Sequence, residues 1–570
     1  MALASVIQGE EYYRVLIGQG MYTSELASNI PDGYSAICYN MVATGDSLEN
    51  RTGIRRSSVD WKVGEIAAGS SNVDAEKISI IYMLNNNIYD SQRPAFAWGS
   101  HGLQVPTGID AGPALNIIRS YGDNAAGDGF MSIAMPAPIF GVSQYQDRTY
   151  FILNGSGVQY ISDLNWGADT ISYTSTPTSA GGVFHGLFTF KDRMWAYVNN
   201  QLYFTDIAPT GGYPETWAFA VNKIPFVGPN GVGVIKKVVP IGNKLIVFTN
   251  AGLFTLLVEG APQSWILRQL DSESICTTSQ CAFESKNIVY YVNTQGVWAT
   301  NGLACTKLSS VIEDQWFLAK GTRSHTINSY EDGMIVSIAK LITGATGYFD
   351  SPNCRTFYSK LDPIGWTEWN ISPWVDPKEE NPPVYDRIVQ VQSVSKKVPT
   401  YLNPDPLVYM LAYVTSTRQG DVLTDSSRAV LQLLIFDGGK DQWVDNANVA
   451  RERPTAIKLK TKYIDGGNAY NLKQCKRGVV EIYTSDTEHK FETSWDIDAS
   501  IGGSTNVRIT DNQDFTVGVG SNLVQIPSQF HYRRCAMDLT AELQSDTSQI
   551  KIKDIALVQN TERGEFEKIR

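Results

Sequence analysis

The sequence predicts an all-β chain, a β-propeller of about six blades with an N-terminal arm and loop insertions. Three observations carry that expectation: a strand-forming composition, short apolar runs closed by turn residues, and a loose repeat of hairpins. The composition comes first. Of the 570 residues 43% are hydrophobic and 11% aromatic, with 28 Tyr and 13 Trp, and only 18% are charged. An ordinary soluble domain carries about 25% charge. A chain rich in Tyr, Trp, Val, Ile and Thr suits pleated, half-buried surfaces. Depleted charge with enriched aromatics is also what a chain with many protein neighbours looks like.

The strand signals are distributed along the chain. Arg148–Leu153 (RTYFIL) is followed by Asn154-Gly155, and Leu245–Thr249 (LIVFT) by Asn250-Ala251-Gly252. Asn287–Val292 (NIVYYV) runs into Asn293-Thr294-Gln295-Gly296 and then Val297-Trp298. Such spacing belongs to a sandwich, barrel or propeller. One short helix is expected at Ser309–Leu318 (SSVIEDQWFL), where Ser310 could cap and Glu313 lies three residues on.

The repeat favours the propeller over a plain sandwich. Leu187–Trp217 contains a strand, a turn at Lys191-Asp192, a strand to Val198, a turn at Asn199-Asn200, and Leu202-Tyr203-Phe204-Thr205-Asp206. Val158–Trp166, Leu434–Trp443 and Phe357–Trp369 are variants in which an aromatic strand delivers an Asp into a turn and a Trp returns to the core. The Asp serves turn N–H groups, and the Trp fills the wedge between radiating sheets. The expected organisation is an arm over 1–60 that docks or supplies a closing strand, and a propeller over 61–560. A Pro-rich insertion at about 371–406 (Pro373, Pro377, Pro382, Pro383, Pro399, Pro404, Pro406) interrupts the propeller, and a tail follows over 561–570.

Charge and motifs bound the function. The net charge is −11, which argues against gripping nucleic acid but suits a wall that DNA slides past. The N-terminus lacks the basic start and apolar run of a signal peptide, no 18-residue apolar run occurs, and the expectation is a protein made in a cytoplasm with no membrane insertion. Seven irregularly spaced cysteines (Cys38, Cys276, Cys281, Cys305, Cys354, Cys475, Cys535) read as free, buried thiols.

Catalytic signatures are not found: no G-x-S-x-G, H-E-x-x-H, Walker loop or G-x-G-x-x-G after a strand. His101, His185, His325, His489 and His531 are far apart, and Cys276 and Cys281 have no second pair nearby to complete a zinc site. Asp123–Gly129 lacks the alternating ligands of a calcium loop and reads as a surface turn. Asp496/Asp498 and Glu379/Glu380 imitate glycosidase carboxylates only by adjacency. Asp437–Trp443 imitates a sialidase turn once. The expectation is a non-enzyme with no catalytic, cofactor-binding or metal residues, no cofactor, and no assignable DNA-facing residue.

One set of phrases is more specific. Lys191–Trp195 with Leu202–Asp206 and Pro214–Trp217, then Ile241–Phe254, then Tyr290–Gly302, resemble successive propeller hairpins of phage tail proteins. The early Asn40 and Glu49-Asn50-Arg51-Thr52-Gly53 are similar to the arm and Arg-Pro-Gly-like turn that open the tail nozzle, or tail tubular, proteins of short-tailed bacteriophages. Thr52 stands where that pattern has Pro. The resemblance covers residues 35–310. It implies a homohexameric ring in the virion tail that conducts and retains genomic double-stranded DNA, docking portal-proximal adaptor proteins and tail fibres or spikes. A carbohydrate-binding or carbohydrate-cleaving tail propeller is the alternative, and a propeller that only cements other tail parts is a third.

Overall fold

The computed structural model describes residues 11–25, 29–56, 62–65, 80–83, 95–99, 114–118, 130–134, 139–153, 157–165, 170–175, 184–229, 231–318, 323–340, 354–372, 374, 386–397, 407–415, 429–438, 440–444, 450–465, 473–485, 488–498, 507–543 and 549–561. The described residues fold as seven antiparallel meanders followed by a two-sheet sandwich, and the meanders make the chain a β-propeller.

Blade 1 spans 80–134, blade 2 139–175, blade 3 186–225, blade 4 235–271, blade 5 282–307, blade 6 323–368 and blade 7 387–436. The first strands of blades 4, 5, 6, 7 and 1 pack on one another in succession, and those of blades 2 and 3 do the same, so the first strand of each meander is innermost. The count is seven, where the degenerate repeat suggested about six.

The blades form where the hairpins were read. Lys191, Asp192, Asn199, Lys286 and Asn287 all have φ between 49° and 61°, the left-handed conformation that two-residue hairpin turns require. Blades stack face to face, so their middle strands are buried on both faces: Leu245, Ile246, Val247 and Phe248 are all 0% exposed. The tryptophans fill the wedges. Trp195 packs on Phe204 and on Trp265 of blade 4 at 5.2 and 5.3 Å, while Trp217 stacks on Phe184 and Phe219 over the blade 2 side.

The arm does two jobs. Ile54–Arg56 pairs with Ala429–Phe436 as the outermost strand of blade 7, so the N-terminus closes the ring. Upstream, Glu11–Val15 and Leu48–Asn50 pair with Ile550–Thr561, and Met41–Ala43 pairs with Leu48–Asn50. These strands, with Lys473–Thr484 and Gly520–Tyr532, form one sandwich sheet. The second sheet continues blade 6: Ser35–Tyr39 lies parallel to Thr367–Glu368, and Ala456–Thr461, Arg534–Glu542, His489–Asp498 and Val507–Val517 follow. Val480, Ile482, Trp495, Phe530, Met537 and Leu557 are buried together between the sheets in a core continuous with blades 4 to 6.

Two expected boundaries therefore move. Residues 456–561 make a sandwich and no further blades, because their strands are up to 13 residues long and exchange between two facing sheets. The Pro-rich stretch is not one insertion. Arg387–Val394 within it is the innermost strand of blade 7, buried over all but its last residue, and all seven prolines lie outside the described residues. The expected helix splits into a 3-10 turn, Ser310–Ile312, and a short helix, Asp314–Leu318. Its N-terminal groups are met by the arm: Ser24 Oγ accepts from the Glu313 N–H at 2.9 Å, and the Thr23 hydroxyl donates to Asp314. Ser309 Oγ instead accepts from the Val297 N–H at 3.0 Å.

Candidate functional site

Among the described residues, three of the places where charged side chains converge bear on function, and geometry separates structural from available chemistry. The first is the arm turn that carries the family resemblance. Arg51 is 1% exposed and donates to both carboxylate oxygens of Asp441 at 2.9 and 2.8 Å, to Asn40 Oδ1 at 2.8 Å and to the Asn370 carbonyl at 2.6 Å. Asp441 also accepts the Ile54 N–H at 2.9 Å. Gly53 presses on the facing hairpin: its N–H donates to Gly438 O at 2.5 Å, and a Cβ there would lie 2.8 Å from the Lys440 nitrogen. This is a satisfied, solvent-free bidentate pair. It joins arm, blade 6 exit and blade 7 exit, and leaves no group free for substrate.

The second place lies between blades 2 and 3. Arg148 is held between the rings of Tyr160 and Tyr213, 4.3 and 3.6 Å from their centres. It donates to Glu215 Oε1 at 2.6 Å, and the Tyr150 hydroxyl donates to the same oxygen at 2.7 Å. A Tyr–Glu–Arg set of this kind can form glycosyl-enzyme intermediates in principle. Here Tyr150 is 0% exposed, and burial together with the Glu215 bond pushes its pKa far up, so the phenol stays protonated and inaccessible. The set is an interblade bridge.

The third is a cleft of about 310 Å³ on the outer face of the sandwich, lined by Tyr39, Trp374, Lys458, Lys490, Glu492 and Glu542 among others. Strand alternation builds its floor. Lys458, Thr540 and Glu492 stand side by side across three strands, while Ile457, Ala541 and Phe491 in the next row turn into the core. Lys458 Nζ lies 4.8 Å from the centre of the Trp374 ring and 3.2 Å from Asp538. Lys490 bonds Asp514 at 2.5 Å, which raises the lysine pKa, and sits 3.9 Å from Glu492. Tyr39 closes the inner end with its hydroxyl on the Ser372 carbonyl at 2.6 Å, and burial pushes its pKa up. Paired charges beside an aromatic ring are groups that a polar molecule could meet in this cleft. Sequence reading did not find this cleft; its signal is the alternation Lys458-Leu459-Lys460-Thr461-Lys462, which puts three lysines on one face.

The remaining sequence candidates are dispersed. Cys276 and Cys281 are both buried and adjacent, and burial raises the Cys276 thiol well above its usual range while it faces the Val292 carbonyl at 3.5 Å. His185 precedes blade 3, His325 is on the inner strand of blade 6, and His489 and His531 are on separate sandwich strands. Among the described residues no three His, Cys, Asp or Glu side chains are grouped to hold a metal. Asp496 is paired with Lys460. His101, Asp123–Gly129 and Glu379/Glu380 lie outside the described residues. No described helix is long and apolar enough to cross a membrane.

No family model matches the chain. No curated protein matches it either. Solved structures do. The chain is similar to YCF48 bound to D1 peptide, with 9% identity and a TM-score of 0.34 over 67% of this chain and 97% of that one. It is similar to the computationally designed Ika8 protein, with 9% identity and a TM-score of 0.30 over 65% and 99%. The WD40 domain of Neurospora crassa Pan2 is also similar, with 10% identity and a TM-score of 0.29 over 57% and 86%. Likeness at this level carries no argument, and the propeller rests on the seven meanders themselves.

Proposed function

We propose that the chain is a structural, non-enzymatic subunit of a short-tailed bacteriophage tail, a nozzle-type ring that conducts and retains genomic DNA. The observation that carries this reading is the arm turn. Asn40, Arg51 and Gly53, residues of the phrase that resembles the nozzle proteins, lie in one buried network that closes the propeller and binds it to the sandwich. Such a joint stiffens a part that transmits load. The acidic balance, net −11, repels phosphate and suits a DNA path. In this reading a homohexamer docks adaptor proteins at one end and fibres or spikes at its flank, and its place is the virion tail.

Electron microscopy of the purified chain tests this: six-membered rings with an axial opening are expected. Monomers that cleave a polysaccharide would overturn it. The cleft beside Trp374 favours a second reading, in which the sandwich holds a glycan against the indole. A glycan-binding signal lost in Trp374→Ala, with folding intact, would support that reading.

A further inference from the structure

Two thiols meet between blades 4 and 5. The link 272–281 leaves the outermost strand of blade 4, Ile266–Asp271, and returns to the innermost strand of blade 5, Ala282–Ser285. Cys276 and Cys281 both stand on it, free and 0% exposed. Each is held against the same residue of the next strand of blade 5. The Val292 N–H donates to the Cys281 carbonyl at 2.8 Å, and the Val292 carbonyl accepts from Cys276 Sγ at 3.5 Å. The N–H and C=O of one strand residue point to the same side, so the two cysteines sit together, and their thiols share a hydrogen bond. The Cys276 N–H is fixed from the other blade, donating to the Thr249 carbonyl at 3.2 Å.

The two thiols have different surroundings. Cys276 gives its S–H to the Val292 carbonyl, and burial keeps it protonated. Cys281 lies near Lys237 on the innermost strand of blade 4, and among the described residues no carboxylate pairs with that amine. Burial lowers the Lys237 pKa, which leaves the amine ready to accept a proton.

We infer that Cys276 and Cys281 are a disulfide-forming pair, a redox staple on the link between blades 4 and 5 that closes on exposure to a peroxide. Lys237 takes the Cys281 proton, and the thiolate attacks one peroxide oxygen. The O–O bond breaks and Cys281 becomes a sulfenic acid. The departing hydroxide regains the proton from Lys237 and leaves as water. The Cys276 sulfur then attacks the sulfenic sulfur, the S–S bond forms, and the hydroxyl leaves with the Cys276 proton as a second water. Each sulfur loses one electron, and the peroxide takes up both. The pair lies within one chain, so it closes whether or not copies assemble.

Peptide mapping of the full chain tests this. The reduced protein is treated with hydrogen peroxide, denatured, alkylated and cut with trypsin, which releases residues 269–286 with both cysteines on one peptide. That peptide is expected unalkylated and lighter by two hydrogens, and dithiothreitol restores it. Cys276→Ser leaves a sulfenic acid at Cys281 that dimedone traps. Lys237→Met slows closure about tenfold, with circular dichroism unchanged. The closed chain unfolds at a higher urea midpoint than the reduced one. A fully alkylated peptide after treatment, or oxidation confined to the partly exposed Cys305, would overturn the pair. Native closure rates in Lys237→Met would overturn the proton transfer.

Discussion

Arg51 and Asp441 show how much one pair can hold. With side chains 0% and 1% exposed, neither charge has water to fall back on. Asp441→Ala leaves the guanidinium buried and uncompensated, so it costs about 3–5 kcal/mol, read as a lower urea midpoint. Gly53→Ala forces a Cβ into the Lys440 backbone and costs about 1–3 kcal/mol by overpacking, measured the same way. His185 gives a pH signature. Burial lowers its pKa, so between the folded value and the ordinary value near 6.5 the unfolded chain binds more protons. Stability is therefore full above the ordinary value and falls as pH drops through that window. Urea midpoints at pH 7.5 and 5.5 should diverge more in the native chain than in His185→Gln. Six of the seven cysteines are buried, so a thiol reagent should label no more than Cys305 quickly in the native state and all seven after denaturation.

The hairpins behave as local units. Turn chemistry at Lys191-Asp192 and Asn199, and the apolar runs between, are enough to write a blade, which is why those strands were legible from spacing. Closure is a different matter. Ile54–Arg56 pairs with a strand more than 370 residues on, and no periodicity marks a three-residue partner for Leu434, Ile435 and Phe436. Ile54→Pro removes the N–H that Asp441 accepts and should open blade 7. Proteolysis should then cut within 429–444 faster than in the native chain, while sites in blades 3 to 5 keep their native rates.

At the scale of the whole molecule, the propeller and sandwich share one core and one arm, so unfolding should be a single transition by both tryptophan fluorescence and far-ultraviolet dichroism. Two separated transitions would show the sandwich to be an independent domain. The arm is the reason for the coupling: it contributes strands to both sandwich sheets and to blade 7.

The all-β class and the hairpin turns were readable in the residues alone, because each depends on contacts within about ten positions. The long strands after Ala456 are also visibly strands; that they leave the ring for a sandwich is not, because a period of two states which face is buried and not against what. The same limit hid the cleft. Trp374, Lys458 and Glu492 come from three distant segments, and only strand register sets them side by side. Arg51 marked a turn in the sequence, and its role as the joint between two domains was decided by Asp441, 390 residues away. Local chemistry determined the elements, and long-range pairing, which pays its entropy only when the fold closes, decided where they sit.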